Sequence, residues 1–358
     1  MQEIIVAVLD KITGLWTLPW ILIGFLLTIL FAKISSRERI DAIMKKVGLI
    51  LLYFFVPILL FRIFLNTPFT TQQLAFTGIV AGILIFMYVL AFLYARYTAS
   101  RLKLNEPSRT LFLKTVLTNQ GRSSAFIGGA MLAISEWSVP AAINMALVGI
   151  GLFAVIPYIL SHWYKREHHQ NQQQQQLKTI KALPWFLKLY PWYLLSFVVL
   201  AILLHQTTGL TTKNLGDAGL YLQLYTAITI PAALYYVGAG IHPSELTRNQ
   251  LKKLLGKIQS TDSGEHMIWV RKIFLLTVVI TPCIIACIFV PLYILNIISG
   301  AWLSVILINS FLPVTSTNMF LVPYGIDKKT TAHVVTWTTI VCVPIVVLLI
   351  YLFSQYLP

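Results

Sequence analysis

Thr118-Asn119-Gln120-Gly121-Arg122-Ser123-Ser124 interrupts an apolar run from 108 to 134 halfway along its length. A run of that size suffices to cross a bilayer, which takes about 20 residues at about 1.5 Å of rise each, so these polar side chains fall near mid-membrane. An arginine at that depth costs about 3 kcal/mol or more unless it faces protein or a water-filled cavity, and by default it marks a functional site. A second apolar run, 299 to 325, is interrupted by Asn309-Ser310-Phe311-Leu312-Pro313-Val314-Thr315-Ser316-Thr317-Asn318, with Pro313 at its centre. Gly121 and Pro313 each let the backbone leave helical geometry. Helices broken in this way expose half-helix N-termini, whose partial positive charge and unpaired N–H groups suit a carboxylate. Arg122 would add a full charge and a planar two-pronged donor at the same depth. Asn119, Ser123, Ser124, Thr315, Thr317 and Asn318 would supply neutral hydrogen bonds. The plainer alternative has Arg122 stapling its own span to carbonyls of the other run, and the cost of an arginine at mid-membrane favours the binding role. Arg62, near the outer end of its span, is expected to snorkel to the interface.

The acids are informative by their positions. All of them fall in loops or at span ends, so a proton relay through a mid-membrane carboxylate is not expected. Sodium held by carbonyls and hydroxyls stays open as a coupling ion. A membrane-embedded enzyme needs His, Asp or Glu facing a cavity. His205 and His333 lie near span ends with no core acid beside them, so an enzyme is a minor alternative and no cofactor is expected. A non-transporting sensor is the other alternative. His162, His168 and His169 could be taken for a metal site, but no carboxylate or thiol supports them, and no metal is expected. Cys283, Cys287 and Cys342 lie inside apolar runs and read as free thiols.

Elements able to position such residues must be membrane spans. The chain has 358 residues, of which 57% are hydrophobic and 11% charged, so hydrocarbon is the solvent for most of it. The formal net charge of +15 could suggest a nucleic-acid partner, but Lys and Arg fall between apolar runs rather than along one basic face, which excludes that class. Hydropathy gives ten spans, near 15–33, 47–64, 74–96, 108–134, 138–161, 184–205, 217–240, 270–297, 299–325 and 330–354. With both termini outside the plasma (inner) membrane, every Lys and Arg except Lys11, Arg62, Arg122 and Lys213 falls in a cytoplasmic loop or at a cytoplasmic span end. The first span reads as uncleaved. Residues 162–183, rich in glutamine, read as a solvated cytoplasmic linker, and 242–269 as a basic interfacial helix on inner-leaflet lipids. The linker separates a first repeat, 1–161, from a second, 184–358. Five spans in the first half force the second half to be inverted. The matched pairs Pro57 with Pro231 and Gly121 with Pro313 fit such a repeat as helix breaks or hinges, and two broken spans in corresponding positions are the sequence sign of a carrier.

Several stretches then carry a resemblance. Asn309-Ser310-Phe311-Leu312-Pro313, Leu321-Val322-Pro323-Tyr324-Gly325-Ile326-Asp327, Thr336-Trp337-Thr338-Thr339 and Pro344 resemble the closing signature of the auxin efflux carrier family. Phe54 to Arg62 is similar to that family's second helix, Asn119-Gln120-Gly121 with Phe126-Ile127-Gly128 to its fourth, and Tyr236 to Ile241 to the end of its seventh. The resemblance spans nearly the whole chain. It implies an all-α polytopic protein of ten transmembrane helices in two inverted five-helix repeats, within the bile/arsenite/riboflavin-type transporter superfamily, with broken helices 4 and 9 crossing. Helices 1, 2, 6 and 7 would form a scaffold, often dimeric, and helices 3–5 and 8–10 a domain moving by an elevator-like step. Substrates in the family are mostly organic anions such as auxin and dicarboxylates. This chain departs from the family pattern in helix 4, where Gly128-Gly129-Ala130 replaces a Gly-x-Pro and Arg122 follows the glycine. The expectation is a secondary carrier for a small organic anion, bound by Asn119, Gly121, Arg122, Ser123, Pro313, Thr315, Thr317 and Asn318. The topology is checked by single cysteines at Gln172 and Thr212 in intact cells: an impermeant thiol reagent should label Thr212→Cys and spare Gln172→Cys.

Overall fold

The computed structural model describes residues 19–125, 127–171, 185–239 and 264–357, together with Ile241 and Lys252. Among them are helices α1 (Trp20–Ile34), α2 (Arg37–Ile50), α3 (Val56–Leu65), α4 (Thr71–Arg101), α5 (Glu106–Thr118), α6 (Ser135–Ile150), α7 (Ile156–Asn171), α8 (Trp185–Thr208), α9 (Asp217–Ala239), α10 (Gly264–Phe274), α11 (Thr281–Ile294), α12 (Gly300–Phe311) and α13 (Lys328–Tyr356). The described residues include no strand, only one isolated bridge. Six helical stretches are long and apolar enough to cross a membrane: Ala42–Leu65, Thr71–Arg101, Ser135–Trp163, Asp217–Ala239, His266–Ile294 and Lys328–Tyr356. The protein is thus an all-helical, multi-pass membrane protein. Trp20–Phe31, Trp192–Thr208 and Gly300–Phe311 are shorter apolar helices.

Three of the long stretches contain a π turn: Leu51–Phe55 between α2 and α3, Gly151–Val155 between α6 and α7, and Leu275–Ile280 between α10 and α11. Each is followed at the second residue by proline, namely Pro57, Pro157 and Pro282. Proline lacks an N–H and its ring clashes with the carbonyl four residues back, which here lies inside the π turn. Widening that turn relieves the clash without ending the helix. Pro57 therefore marks a π turn rather than a break, and α9 runs unbroken through Pro231. Of the four expected hinges, only Gly121 and Pro313 lie where an α-helix has ended. Helix α7 continues to Asn171, so the first ten residues of the expected linker are helical, since nothing there breaks a helix. The rest of that linker, and nearly all of 242–263, lie outside the described residues, as do the side chains of His168 and His169.

Helices α1 and α9 pack most closely. Gly24 and Gly238 face each other's backbones, and a methyl group added to either would overlap a carbonyl oxygen, of Tyr235 and Ile21 respectively. Thr28 Oγ1 then donates to the Ala239 carbonyl at 3.2 Å. Small residues at the seam are how helices approach in hydrocarbon, where burial alone does not drive association. The two ends of the bundle are distinguishable along α4. At its start Phe76 packs on Trp302, with ring centroids 5.1 Å apart. At its finish Ala95 and Ala99 join a core with Phe112, Met267, Trp269, Val270 and Val334. Gly238→Val should separate α1 from α9 and cost about 1–3 kcal/mol, read as a lower melting temperature in detergent, whereas Gly78→Ala, where an added methyl meets nothing, should leave melting unchanged.

Candidate functional site

The two interrupted runs fold alike. Helix α5 ends at Thr118, the chain is extended or turned over 119–125, and a 3-10 segment follows over Gly128–Ala133; α12 ends at Phe311, the chain is extended to Thr315, and a 3-10 segment follows over Ser316–Tyr324. The two gaps meet. Arg122 and Val314 form an antiparallel bridge, in which Ser123 N donates to Pro313 O at 2.9 Å and Thr315 N to Gly121 O at 3.0 Å. Val314 N donates to Thr338 Oγ1 of α13 at 3.1 Å. Backbone released from one helix is thus paired by backbone released from the other, as buried peptide groups require. Gly121 is needed for the approach, because a Cβ there would sit 2.6 Å from Asn318 Oδ1 and 2.9 Å from Leu152 Cδ1.

Arg122 is 3% exposed. One terminal nitrogen of its guanidinium donates to Leu312 O at 3.2 Å and the other to Thr277 O at 3.0 Å. The first carbonyl lies in the second gap and the second in a π turn. Arg122 therefore does tie its segment to carbonyls of the second run, and to a third element that the sequence did not suggest, while its Nε has no partner. Asn119 Nδ2 donates to Thr115 O at 2.8 Å and Thr331 Oγ1 at 3.2 Å, leaving Oδ1 unpaired. Gln120 Oε1, Thr118 Oγ1 and both amide atoms of Asn318 are likewise buried without partners. Thr315 and Thr317 bond each other through their hydroxyls at 2.9 Å. Buried polar atoms left unpaired in such number at one place call for a ligand, water or ion.

The eight expected site residues come together here, with Ser123 and Pro313 joined through the backbone bond between the gaps. Ser124 faces a partner set that the sequence reading missed: its Oγ lies 3.1 Å from Asn309 Oδ1 and 3.4 Å from Asn144 Oδ1. Asn144, a lone amide within the apolar span of α6, was the available signal. Two spaces of about 20 Å³ each adjoin the guanidinium, one lined by Thr315, Thr317, Leu52 and Leu152, the other by Ser124, Asn144, Asn309 and Ser310. Each is large enough for a water molecule but not for an organic solute. Arg62, near the end of its span, lines a cavity of about 770 Å³.

A separate polar cluster gathers around Asp327, which precedes the span Lys328–Tyr356, at the end where α4 finishes. Asp327 caps α13 by accepting from Lys329 N at 3.1 Å. It also accepts from Thr330 Oγ1 and, at 3.0 Å, from His266 Nδ1, and its own N–H donates to Thr115 Oγ1 at 3.0 Å. Burial by itself would raise the carboxyl, but the His266 and Thr330 hydrogen bonds, with the His266 charge and the Lys329 N–H, hold it down to about 2. Compared with known proteins, the chain matches no family model and no curated protein.

A depressed carboxylate contributes stability above its unfolded pKa, near 3.9, and loses it as pH falls through the folded value. Below about pH 5 the melting difference between the wild type and Asp327→Asn should therefore shrink as pH falls towards 2; a difference that stays constant or widens over that range would contradict this account.

Proposed function

We propose that this protein is a secondary carrier that moves a small organic anion across the plasma (inner) membrane, with the crossing of the two gaps as its substrate site. The observation that carries the reading is a buried guanidinium at the meeting of two unwound helices, in segments that also carry unpaired amide and hydroxyl atoms, with no carboxylate paired to it among the described residues. A cationic solute would find no counter-charge there. An anion would find Arg122 Nε, the amides of Asn119 and Asn318, and the N–H groups that open the 3-10 segments. Water-sized spaces around the guanidinium describe a closed state, so alternating access requires one unit to move against another. The elevator-like step, the ten spans in two inverted repeats (1–161 and 184–358), the outside termini and a homodimer complete the proposal. Support for the repeat is the recurrence of helix, gap and 3-10 segment in each half, and the antiparallel sense in which the gaps pair.

The same geometry bears on coupling. Unwound carbonyls hold the sodium of many symporters, and here two carbonyls of that kind, Leu312 O and Thr277 O, are taken by a tethered cation. We expect flux into reconstituted vesicles to be equal in sodium and potassium media, and a strict sodium requirement would contradict it.

A stability screen of the purified protein over organic acids would identify the solute, and counterflow in vesicles would establish transport. Asn318→Ala removes amide atoms that bond nothing within the chain, so it should keep the melting temperature while weakening affinity roughly two- to twelvefold, the equivalent of one hydrogen bond. Arg122→Gln should weaken it roughly tenfold to a hundredfold, and Arg122→Lys should recover only part because it lacks the fork. Unchanged affinity in folded Asn318→Ala and Arg122→Gln would reduce Arg122 to a staple and overturn the site.

A further inference from the structure

A large cavity lies away from the crossing, at the end of the bundle where α3 finishes. It measures about 770 Å³ and is bounded by Arg62, Asn66 and Thr67 at the end of α3, by Leu132, Ala133, Ser135 and Ser138 where the 3-10 segment after the first gap meets α6, by Thr211 to Lys213, and by Gln223 of α9. That volume suits a small organic molecule. Three of the connections that charge alternation assigns to the outer side, 65–73, 135–137 and 206–216, contribute residues to this space.

Its rim is preorganised. Asn66 Nδ2 donates to the Arg62 carbonyl at 2.9 Å, while Asn66 Oδ1 accepts from both the N–H and the hydroxyl of Thr212, each at 2.9 Å. Asn66 thereby fastens the 3-10 turn Thr212–Leu215 to the end of α3, which brings Lys213 to the same rim as Arg62. Arg62 is steadied by one bond to Gln223 O at 3.4 Å. No carboxylate lines the cavity, and among the described residues neither cation is paired with one. These two residues are also, with Arg122 and Lys11, the ones that stand apart from the cytoplasmic placement of basic charge. Two cations without a carboxylate partner on the rim of one concave, polar-lined space concentrate anions.

We propose that this cavity is an anion-docking site, distinct from the crossing, which takes a small solute bearing two carboxylates, with Arg62 and Lys213 as its charge partners and the second N–H of the Asn66 amide as a neutral donor. Its floor, Leu132–Ala133, belongs to the segment that leads back to Arg122. Its role in gathering substrate rests on the carrier reading, but its binding chemistry does not.

The test does not depend on which solute the protein carries. Full-length protein carrying Ser138→Cys, with Cys283→Ala, Cys287→Ala and Cys342→Ala, is reconstituted in phosphatidylcholine nanodiscs and labelled with an anionic sulfonate thiosulfonate or a cationic trimethylammonium one, each rate divided by that with free mercaptoethanol. The anionic reagent should react at least tenfold faster at low salt on this normalised scale. Arg62→Gln and Lys213→Gln should each lower the ratio several-fold, and 1 M salt should lower it too. Succinate should protect the thiol at concentrations where dimethyl succinate does not, and this should persist in Arg122→Gln, which separates failure here from failure of the crossing site. A normalised ratio of one or below, indifference to both Gln substitutions in folded protein, or equal protection by acid and ester would each overturn the proposal.

Discussion

Everything at the centre of this protein depends on a pairing of two defects. A helix that stops inside hydrocarbon strands several peptide groups, each costing several kcal/mol if left unbonded. One such stop would be prohibitive alone. Here the two stops face each other, and the Ser123–Pro313 and Thr315–Gly121 hydrogen bonds complete an antiparallel bridge between them. Thr338 takes the N–H that remains between those two. The geometry fixes the spacing of the gaps, and the spacing brings Arg122 to the Leu312 and Thr277 carbonyls. Neither gap is stable without the other, so the two halves of the chain are bound together where the backbone is least regular.

The charge at the crossing follows a related logic. A buried guanidinium held only by carbonyls is solvated without being neutralised, because carbonyl dipoles remove much of the desolvation cost and none of the net charge. Such a group keeps an attraction for anions that a salt-bridged arginine would have spent on its partner. The two gap segments also carry the unpaired atoms of Asn119, Gln120 and Asn318, polar groups that packing has not satisfied.

What is legible in the sequence and what is not divide along a physical line. Gly121 and Pro313 are readable because polar residues in an apolar run conflict with their surroundings, and such a conflict is visible within one stretch of chain. The burial of Arg122 is readable for the same reason. Its Thr277 partner is not, because any backbone carbonyl of a π turn is anonymous in sequence. Pro57 and Pro231 suggest more than they deliver: proline signals a missing donor, but whether the helix breaks, widens or simply continues depends on how neighbours meet the freed carbonyl. The cavity beside Arg62 escapes the sequence because hydropathy gives depth along the membrane normal and says nothing of which side of the helix faces lipid. That side is set by the packing of α3 against α8 and α9, visible in the stacking of Phe55 on Tyr225 and the edge contact of Phe61 with Phe197.

The π turn at Leu51–Phe55 has an influence reaching beyond its five residues. An α-helix advances about 100° per residue, so the widened turn amounts to a phase offset inserted between α2 and α3. Were the same five residues wound as a regular α-helix, α3 would be rotated by about a quarter turn relative to α2. Leu59, Leu60 and Phe64, now buried, would be swung off the core, and Arg62 would leave its present azimuth at the cavity rim. The proline that follows makes that regular winding sterically unfavourable. Angular position in this bundle is thus set by a local defect, which works as a fixed gear offset between one end of the membrane and the other.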